Sequence, residues 1–304
     1  MGKGSNIHGE EEPLNADRAV LRSVLIRGLE KYIEFGREFE RFKTTPEGVV
    51  VRFKDGTEVK GSILVGADGT KSKLRKQLFP EHKLVDTEGR WFYGKTTLTP
   101  ELDETFNELA LKGLTLVQDK TKGIPLSLLL EPVRFKDNEF RHDLPPDYVY
   151  WVLGARKDFF DIHDSVLLRL SPEEATAMTR KFTSHWDASF HPLFDLQNAS
   201  QTSILRIDSS TPDIPTLDSD LPVTMIRDAI HAMSPTAGVG AVTALRDAAT
   251  LARILNEEGI NIQSLRKYEA LMRQYAGDAI RNSARGGKLL FGMRPFEDLS
   301  LVAT

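Results

Sequence analysis

Residues 226–241 read IRDAIHAMSPTAGVGA and continue an apolar run that begins at residue 223. The apolar run predicts a strand with Asp228 at its end, and the proline and glycines predict a loop before a helix. A carboxylate there can accept hydrogen bonds from a sugar or polyol, and the small residues 237–241 would let a flat ligand lie against the backbone. A glycine-rich connection before a core helix is the alternative interpretation. His231 is the catalytic candidate of this stretch, although a lone histidine is more often structural.

A similar stretch lies earlier in the chain, where residues 65–75 read VGADGTKSKLR. The run at residues 63–65 is short, apolar and continuous, which is typical of a strand buried on both faces in a parallel sheet. Gly66 permits a close approach of backbone to a ligand, and a helix start with basic residues such as Arg75 favours an anion. The alternative is a strand-to-helix turn whose basic residues form a solvated face, and composition alone favours that alternative.

The N-terminal and central parts of the chain show five patterns. Residues 1–15 are polar, and we expect a loose tail there. Asp17 caps a predicted helix, and alternating apolar residues around an Asp-Gly turn predict a hairpin near residues 49–61. Apolar runs separated by turn-rich segments predict an antiparallel sheet over residues 90–210, with a helix at residues 170–186.

The C-terminal part has helical periodicity. A long helix after residue 240 is predicted to bring five apolar residues onto one face, namely Leu245, Ala248, Ala249, Ala252 and Leu255. A last helix is predicted around residues 265–276, before Gly286 and Gly287.

Composition narrows the possible classes of protein. The chain has 304 residues, with 40 basic against 44 acidic residues and no cysteine. The absence of cysteine excludes disulfide scaffolds, thiolate metal sites and cysteine nucleophiles. The near-neutral charge argues against a nucleic-acid partner, and no apolar run suits a membrane span or a signal peptide. We expect a cytoplasmic protein that binds a small molecule and holds no metal, and its oligomeric state is left open.

Taken together, these stretches resemble the FAD-dependent aromatic hydroxylases, the single-component flavin monooxygenases similar to para-hydroxybenzoate and salicylate hydroxylases, and most closely the fungal members. The resemblance is carried by GADG at residues 66–69, by DAIH at residues 228–231 with the following proline and glycines, and by DRAVLR at residues 17–22. It implies a mixed α/β fold. A partial Rossmann-like FAD-binding domain would comprise residues 16–85 and 216–304, with an antiparallel-sheet substrate domain inserted at residues 86–215.

The resemblance also implies an activity. FAD would be the cofactor, NAD(P)H the co-substrate and O2 the oxidant, and an aromatic or similar small organic substrate would be hydroxylated through a flavin C4a-hydroperoxide. The implied cofactor-binding residues are Arg18, Gly66, Asp68, Gly69, Arg75, Asp228, Pro235, Gly238, Val239 and Gly240. The implied substrate residues are Phe92, Tyr93, Leu128 and Trp151, for which plain core packing is the favoured alternative.

Three features depart from the family pattern. Residues 1–15 contain no strand–Gly-x-Gly-x-x-Gly–helix unit, Arg227 replaces a glycine, and Val242 replaces an asparagine. Two other functions therefore stay open: a non-catalytic remnant that binds a ligand or partner, and a cofactor-free isomerase or cyclase that reuses the substrate pocket. The same departures predict an exposed apolar patch beside the first helix and the strand at residues 63–65.

Overall fold

The structure is a computed structural model that describes residues 16–137, 141–217 and 220–302, so the predicted tail at residues 1–15 lies outside the described residues. The strands are β1 (Phe39–Thr45), β2 (Gly48–Phe53), β3 (Glu58–Gly61), β4 (Leu64–Gly66), β5 (Val85–Thr97), β6 (Thr115–Asp119), β7 (Leu126–Val133), β8 (Tyr148–Arg156), β9 (Ser203–Ser209) and β10 (Val223–Met225). The helices are α1 (Arg18–Ile26), α2 (Lys73–Leu78), α3 (Pro100–Thr105), α4 (Asp164–Leu167), α5 (Pro172–Thr183), α6 (His191–Asp195), α7 (Asp228–His231), α8 (Gly240–Glu258) and α9 (Ile262–Phe291).

The largest sheet has five antiparallel strands in the order β6-β7-β8-β5-β9, which confirms the sheet predicted within residues 90–210. One face of this sheet packs against helices that include α5 and α6. Trp151 on β8 and Phe194 on α6 meet edge to face there, with ring centroids 5.3 Å apart. Helix α5 begins with a capping box between Ser171 and Glu174, as its sequence predicts.

The opposite face of the large sheet packs against the end of α9. Trp91 on β5 contacts Phe291 edge to face at 5.7 Å between ring centroids, and both side chains are buried. Because side chains alternate between the faces of a strand, Trp91 and Phe92 belong to two different cores. The sheet is therefore covered on both sides.

Two smaller sheets lie outside this unit. Strands β1, β2 and β3 form the predicted antiparallel hairpin sheet, and β4 pairs in parallel with β10. Gly66 at the end of β4 packs so tightly against α2 that a Cβ there would lie 2.3 Å from Leu74 Cδ2. The parallel pairing is as predicted, but Leu64 and Val65 are only half-buried, because one side of β4 faces an open groove.

Helix α8 buries a different face from the one that carries its five apolar residues. The buried residues are Thr243, Asp247, Leu251 and Ile254, whereas the side chain of Leu245 is 49% exposed. The apolar spacing identified the helix correctly but did not indicate which face is buried. The physical reason is that a polar residue, Asp247, makes the central buried contacts of α8.

Helix α9 extends past the predicted end at the glycine pair. Its 30 residues run through Gly286 and Gly287 to Phe291, and Gly292 at φ +71° ends the helix. A Cβ on Gly286 would lie 2.8 Å from the Thr236 carbonyl oxygen. The glycine therefore serves close packing on a neighbouring loop instead of helix termination.

Candidate functional site

The two predicted loops lie side by side at the carboxyl ends of the paired strands β4 and β10. Gly66 of β4 is the register partner of Met225 of β10, so both loops leave the sheet at the same end. In open α/β sheets ligands bind beyond the carboxyl ends of such strands. The two loops that carry the family resemblance are therefore adjacent in the fold.

The buried side chain of Arg75 is hydrogen-bonded to the backbone of both loops. Its guanidinium donates to the carbonyl oxygens of Thr70 at 2.5 Å and Ala229 at 2.8 Å, and the residue is only 4% exposed. Burial lowers the pKa of Arg75, and the nearby charge of Asp68 opposes that shift. Two nitrogens of the Arg75 guanidinium bind these carbonyls, while Nε is buried and has no hydrogen-bond partner among the described residues, and the cofactor-binding role of Arg75 stays a prediction.

Asp68 also has local partners. Its Oδ2 accepts hydrogen bonds from the backbone N–H of Lys73 at 2.9 Å and of Leu74 at 3.4 Å, at the start of α2. Gly69 adopts φ +76° beside it, in the left-handed region that glycine favours. Asp68 and Gly69 shape the turn, while the residue Asp68 itself is exposed.

Asp228 differs from Asp68 because its carboxylate is unpaired. The residue is exposed, and its side chain makes no hydrogen bond or ion pair with the described part of the chain. A free carboxylate beyond a strand end can accept hydrogen bonds from the hydroxyls of a ligand. Asp228 thus keeps the capacity that the sequence predicts for it.

A buried polar cluster supports the Asp228 loop from α8. Asp247 is fully buried, and its carboxylate accepts three hydrogen bonds. The donors are the Arg227 backbone N–H at 2.7 Å, His231 Nε2 at 2.6 Å and the Tyr275 hydroxyl at 2.7 Å. Tyr275 was not singled out from the sequence, because nothing local links it to a residue on another helix.

His231 lies inside this cluster and is 1% exposed. Because a carboxylate accepts hydrogen bonds, His231 Nε2 donates to Asp247, while Nδ1 is buried and has no hydrogen-bond partner among the described residues. This position matches the structural alternative weighed for His231. Because the His231 side chain is buried, its exposure gives no support to a catalytic role, which stays a prediction.

Arg227 has a backbone conformation that suits glycine. Its φ is +59° and its ψ is −149°, a combination that side-chain-bearing residues adopt at a cost of about 1–3 kcal/mol. The side chain is exposed, and the strain is held by the bond from its backbone N–H to Asp247. The sequence difference from the resembled family therefore coincides with a strained position.

Arg227→Gly is expected to increase the free energy of unfolding by about 1 kcal/mol, since relief of backbone strain outweighs the greater chain entropy of glycine. We also expect tighter FAD binding because backbone approach beside Asp228 is restored. Urea unfolding and quenching of FAD fluorescence measure the two effects. Arg227→Ala is the matched control, because it removes the guanidinium but keeps the strained Cβ. Equal behaviour of the two variants would contradict the backbone explanation.

The loop at residues 235–240 presents open backbone. Gly238 has φ +66°, and a Cβ built on it would meet no atom within 4 Å. The nearest atom to a Cβ on Gly240 is Met233 Cγ at 3.9 Å. No side chain of the described residues caps the start of α8, which leaves N–H groups free for an electron-rich ligand. Pro235 and Val239 belong to this same open turn.

One turn of α9 brings this loop close to the large sheet. Thr236 Oγ1 donates to the carbonyl oxygen of Ser283 at 2.5 Å. The adjacent residue Ala284 packs against the same core cluster as Tyr93 and Tyr150, which lie on β5 and β8. Helix α9 therefore contacts the loop and also packs on the core that borders the two tyrosines.

Tyr93 and Tyr150 form an aromatic pair with free hydroxyl groups. Their ring centroids are 6.5 Å apart, and neither hydroxyl has a hydrogen-bond partner among the described residues. Burial raises the pKa of Tyr150 to about 12, while the charge of the nearby Arg18 acts in the opposite direction. Both phenols are held as hydrogen-bond donors beside a cation.

The other predicted substrate residues have a different position. Phe92, Leu128 and Trp151 are fully buried in the core between the sheet and its helices. This burial is the core packing weighed as the alternative, and the structure does not bring these three side chains together with Tyr93. Of the four, Tyr93 alone lies on the face shared with α9.

An apolar groove of about 350 Å³ lies between the hairpin sheet and β4. It includes Phe39, Val51, Phe53, Ile63, Val65 and Asp68 in its lining. On α1, Val24 and Leu25 are both more than half exposed. The predicted apolar surface is present in both places.

In the described ranges, no helix is long and apolar enough to cross a membrane, and no cluster of His, Asp and Glu suits a metal ion.

Comparison with known proteins gives consistent matches. A family model described as an FAD binding domain matches residues 21–283. The dual O-methyltransferase/FAD-dependent monooxygenases elcB of Phaeosphaeria nodorum and CTB3 of Cercospora beticola are 38% and 39% identical over 94% and 93% of this chain. The chain spans about a third of the length of these relatives, 36% and 35% respectively.

A solved structure matches the fold. It is that of a candidate FAD-containing monooxygenase from Photorhabdus luminescens, with a TM-score of 0.76 and 28% identity over 89% of this chain and 72% of that one. The fold of Klebsiella pneumoniae HpxO, solved with FAD and uric acid, matches with a TM-score of 0.71 at 18% identity, covering 90% of this chain and 64% of that one.

Proposed function

Because this chain belongs to the FAD-binding domain family of monooxygenases, we propose that it forms the FAD and substrate sites of an FAD-dependent monooxygenase. In this proposal NAD(P)H supplies electrons, O2 is the oxidant, and an aromatic or similar small organic molecule is hydroxylated. The observation that carries the proposal is the meeting of the β4 and β10 strand ends beside an open glycine loop.

The residues around these two strand ends fit a flavin nucleotide. The unpaired carboxylate of Asp228 would accept hydrogen bonds from the hydroxyls of the ribityl chain. The open backbone of Gly238 and Gly240 would lie against the flat ring system, with the uncapped start of α8 facing its electron-rich edge. A bound flavin supplies the redox chemistry, and this chain would bind, orient and shield the reactants.

The substrate would lie on the tyrosine side of the site. Tyr93 and Tyr150 offer two hydrogen-bond donors on an apolar surface, next to the charge of Arg18. These features suit a ring that carries oxygen substituents, since the donors would orient it through those atoms. Phe92 and Trp151, which are buried on the opposite face of the sheet, would support the strands that carry the two tyrosines.

Asp228→Asn tests the proposal directly. We expect the dissociation constant for FAD to rise at least tenfold, because hydrogen bonds to a charged acceptor contribute about 1.5–3 kcal/mol. Fluorescence quenching during a titration of the purified chain with FAD gives the measurement. Asp213→Asn removes an exposed carboxylate elsewhere and should leave affinity unchanged. A wild-type chain that cannot be loaded with FAD would remove the proposal and favour a non-catalytic or cofactor-free function.

A further inference from the structure

Asp17 makes an unusually complete set of contacts for a helix N-cap. Its Oδ1 accepts from the backbone N–H groups of Ala19 at 2.8 Å and Val20 at 3.1 Å. Its Oδ2 accepts from the Tyr148 hydroxyl at 2.7 Å and from Lys95 Nζ at 3.1 Å. One carboxylate oxygen therefore caps α1, and the other binds two strands of the large sheet.

This contact is the principal attachment of α1 within the described part of the chain. None of the nine residues of α1 is buried. Among residues 16–41, Asp17 is the single buried residue, at 8% exposure. Helices are ordinarily held by an apolar face, so a helix fixed by a buried carboxylate depends on the partners of that carboxylate.

The partners of Asp17 also determine where α1 begins relative to the tyrosine pair. Lys95 on β5 is the register partner of Tyr150 on β8, so the anchor lies next to that residue. Arg18 directly follows Asp17, and its charge acts on both Tyr93 and Tyr150. A shift of the anchor would move Arg18 away from these hydroxyls.

We propose that Asp17, held by Tyr148 and Lys95, is a positioning residue that fixes the Arg18-bearing start of α1 against the tyrosine face of the large sheet. The consequence for ligand binding rests on the proposed function and on the cofactor-binding role that the family resemblance implies for Arg18. The anchor itself is a property of the chain alone. Burial opposes ionisation of Asp17, but hydrogen bonds from Tyr148, Val20 and Lys95 outweigh it and lower the pKa of Asp17 to about 2. The anchor is thus charged at neutral pH.

Two variants separate capping from anchoring. Asp17→Asn keeps a good helix cap, because asparagine is equivalent to aspartate at this position, but it loses the charge that Lys95 binds. Tyr148→Phe leaves the cap intact, keeps the ring beneath Lys95 and removes one donor. Tyr32→Phe is the matched control, because Tyr32 is 73% exposed and lies outside the cluster.

Hydrogen–deuterium exchange of the chain without cofactor tests the anchor. We expect the amides of α1 to exchange about tenfold faster in Tyr148→Phe and Asp17→Asn than in the wild type and in Tyr32→Phe. Amides of β2 in the hairpin sheet should keep their wild-type rates, which distinguishes release of α1 from general destabilisation. Unchanged exchange in α1, or a rise that includes β2, would overturn the proposal.

Coupling to Arg18 tests the consequence for ligand binding. We expect Tyr148→Phe and Arg18→Ala each to weaken FAD binding, and the double variant to bind FAD within twofold of Arg18→Ala. Additive losses would show that Tyr148 does not act through Arg18 and would overturn that step. If Arg18→Ala binds FAD normally while exchange in α1 is accelerated, the cofactor role of Arg18 fails and the anchor stands.

Discussion

Replacing Asp247 with alanine is expected to lower the free energy of unfolding by about 3–5 kcal/mol, the largest effect we anticipate for a polar substitution in this chain. The variant would remove the shared acceptor of three donors, namely the fully buried ring of His231, the backbone N–H of Arg227 and the partly buried hydroxyl of Tyr275. It would also release the strained backbone of Arg227 beside Asp228. Equilibrium urea unfolding measures the free energy of unfolding. Titration with FAD measures the loss of affinity that follows when the loop carrying Asp228 is no longer held in place.

The control for this prediction lies on the same helix. Glu257→Ala removes a carboxylate that is 55% exposed and pairs with Arg253 one turn earlier. Exposed pairs of this kind contribute about 0.3–0.5 kcal/mol, so the control should be nearly neutral. Equal destabilisation by the two variants would show that Asp247 does not organise the site.

Replacing Trp151 with alanine is expected to lower the free energy of unfolding by about 3–5 kcal/mol through loss of buried area and creation of a cavity. Trp151 is fully buried, contacts Phe194 and donates from Nε1 to Thr96 Oγ1 at 3.1 Å. Its ring also covers Gly94, where a Cβ would lie 2.1 Å from Cζ2. Urea denaturation followed by circular dichroism provides the measurement.

Two comparisons distinguish packing from substrate contact at Trp151. Leu116→Ala, at a 47% exposed position of the same sheet, should cost far less stability. Tyr93→Phe should weaken substrate binding with little change in stability, because its hydroxyl has no partner among the described residues. A stable Trp151→Ala variant that has lost only substrate affinity would contradict the packing assignment.

Local patterns predicted much of the fold. The short apolar run before Gly66, the Asp-Gly turn of the hairpin and the Ser171 capping box all appear where the sequence places them. Each of these features depends on interactions between residues close together in the chain, so a short stretch of sequence is enough to predict it. The apolar run before Gly66 also indicated a strand of a parallel sheet, and β4 does pair in parallel, with β10.

Features that depend on distant residues could not be read in this way. The contact of Asp247 with Tyr275 joins two helices, and no local spacing connects them. The large sheet is covered on both faces, so alternation along β5 separates Phe92 from Tyr93 without revealing which side faces a ligand. The apolar stripe on α8 likewise identified a helix, while the buried side followed the polar contact of Asp247.

The single helix α9 determines how the two halves of the site can respond to a bound molecule. With 30 residues it is about 45 Å long, and near its end it contacts the Thr236 turn through Ser283 and the large sheet through Phe291, which packs on Trp91. A ligand that displaced the Thr236 turn would therefore act on a helix that also covers one face of the large sheet. We expect a substitution at either contact of α9 to alter the loop beside Asp228 as well as the sheet face that carries Tyr93.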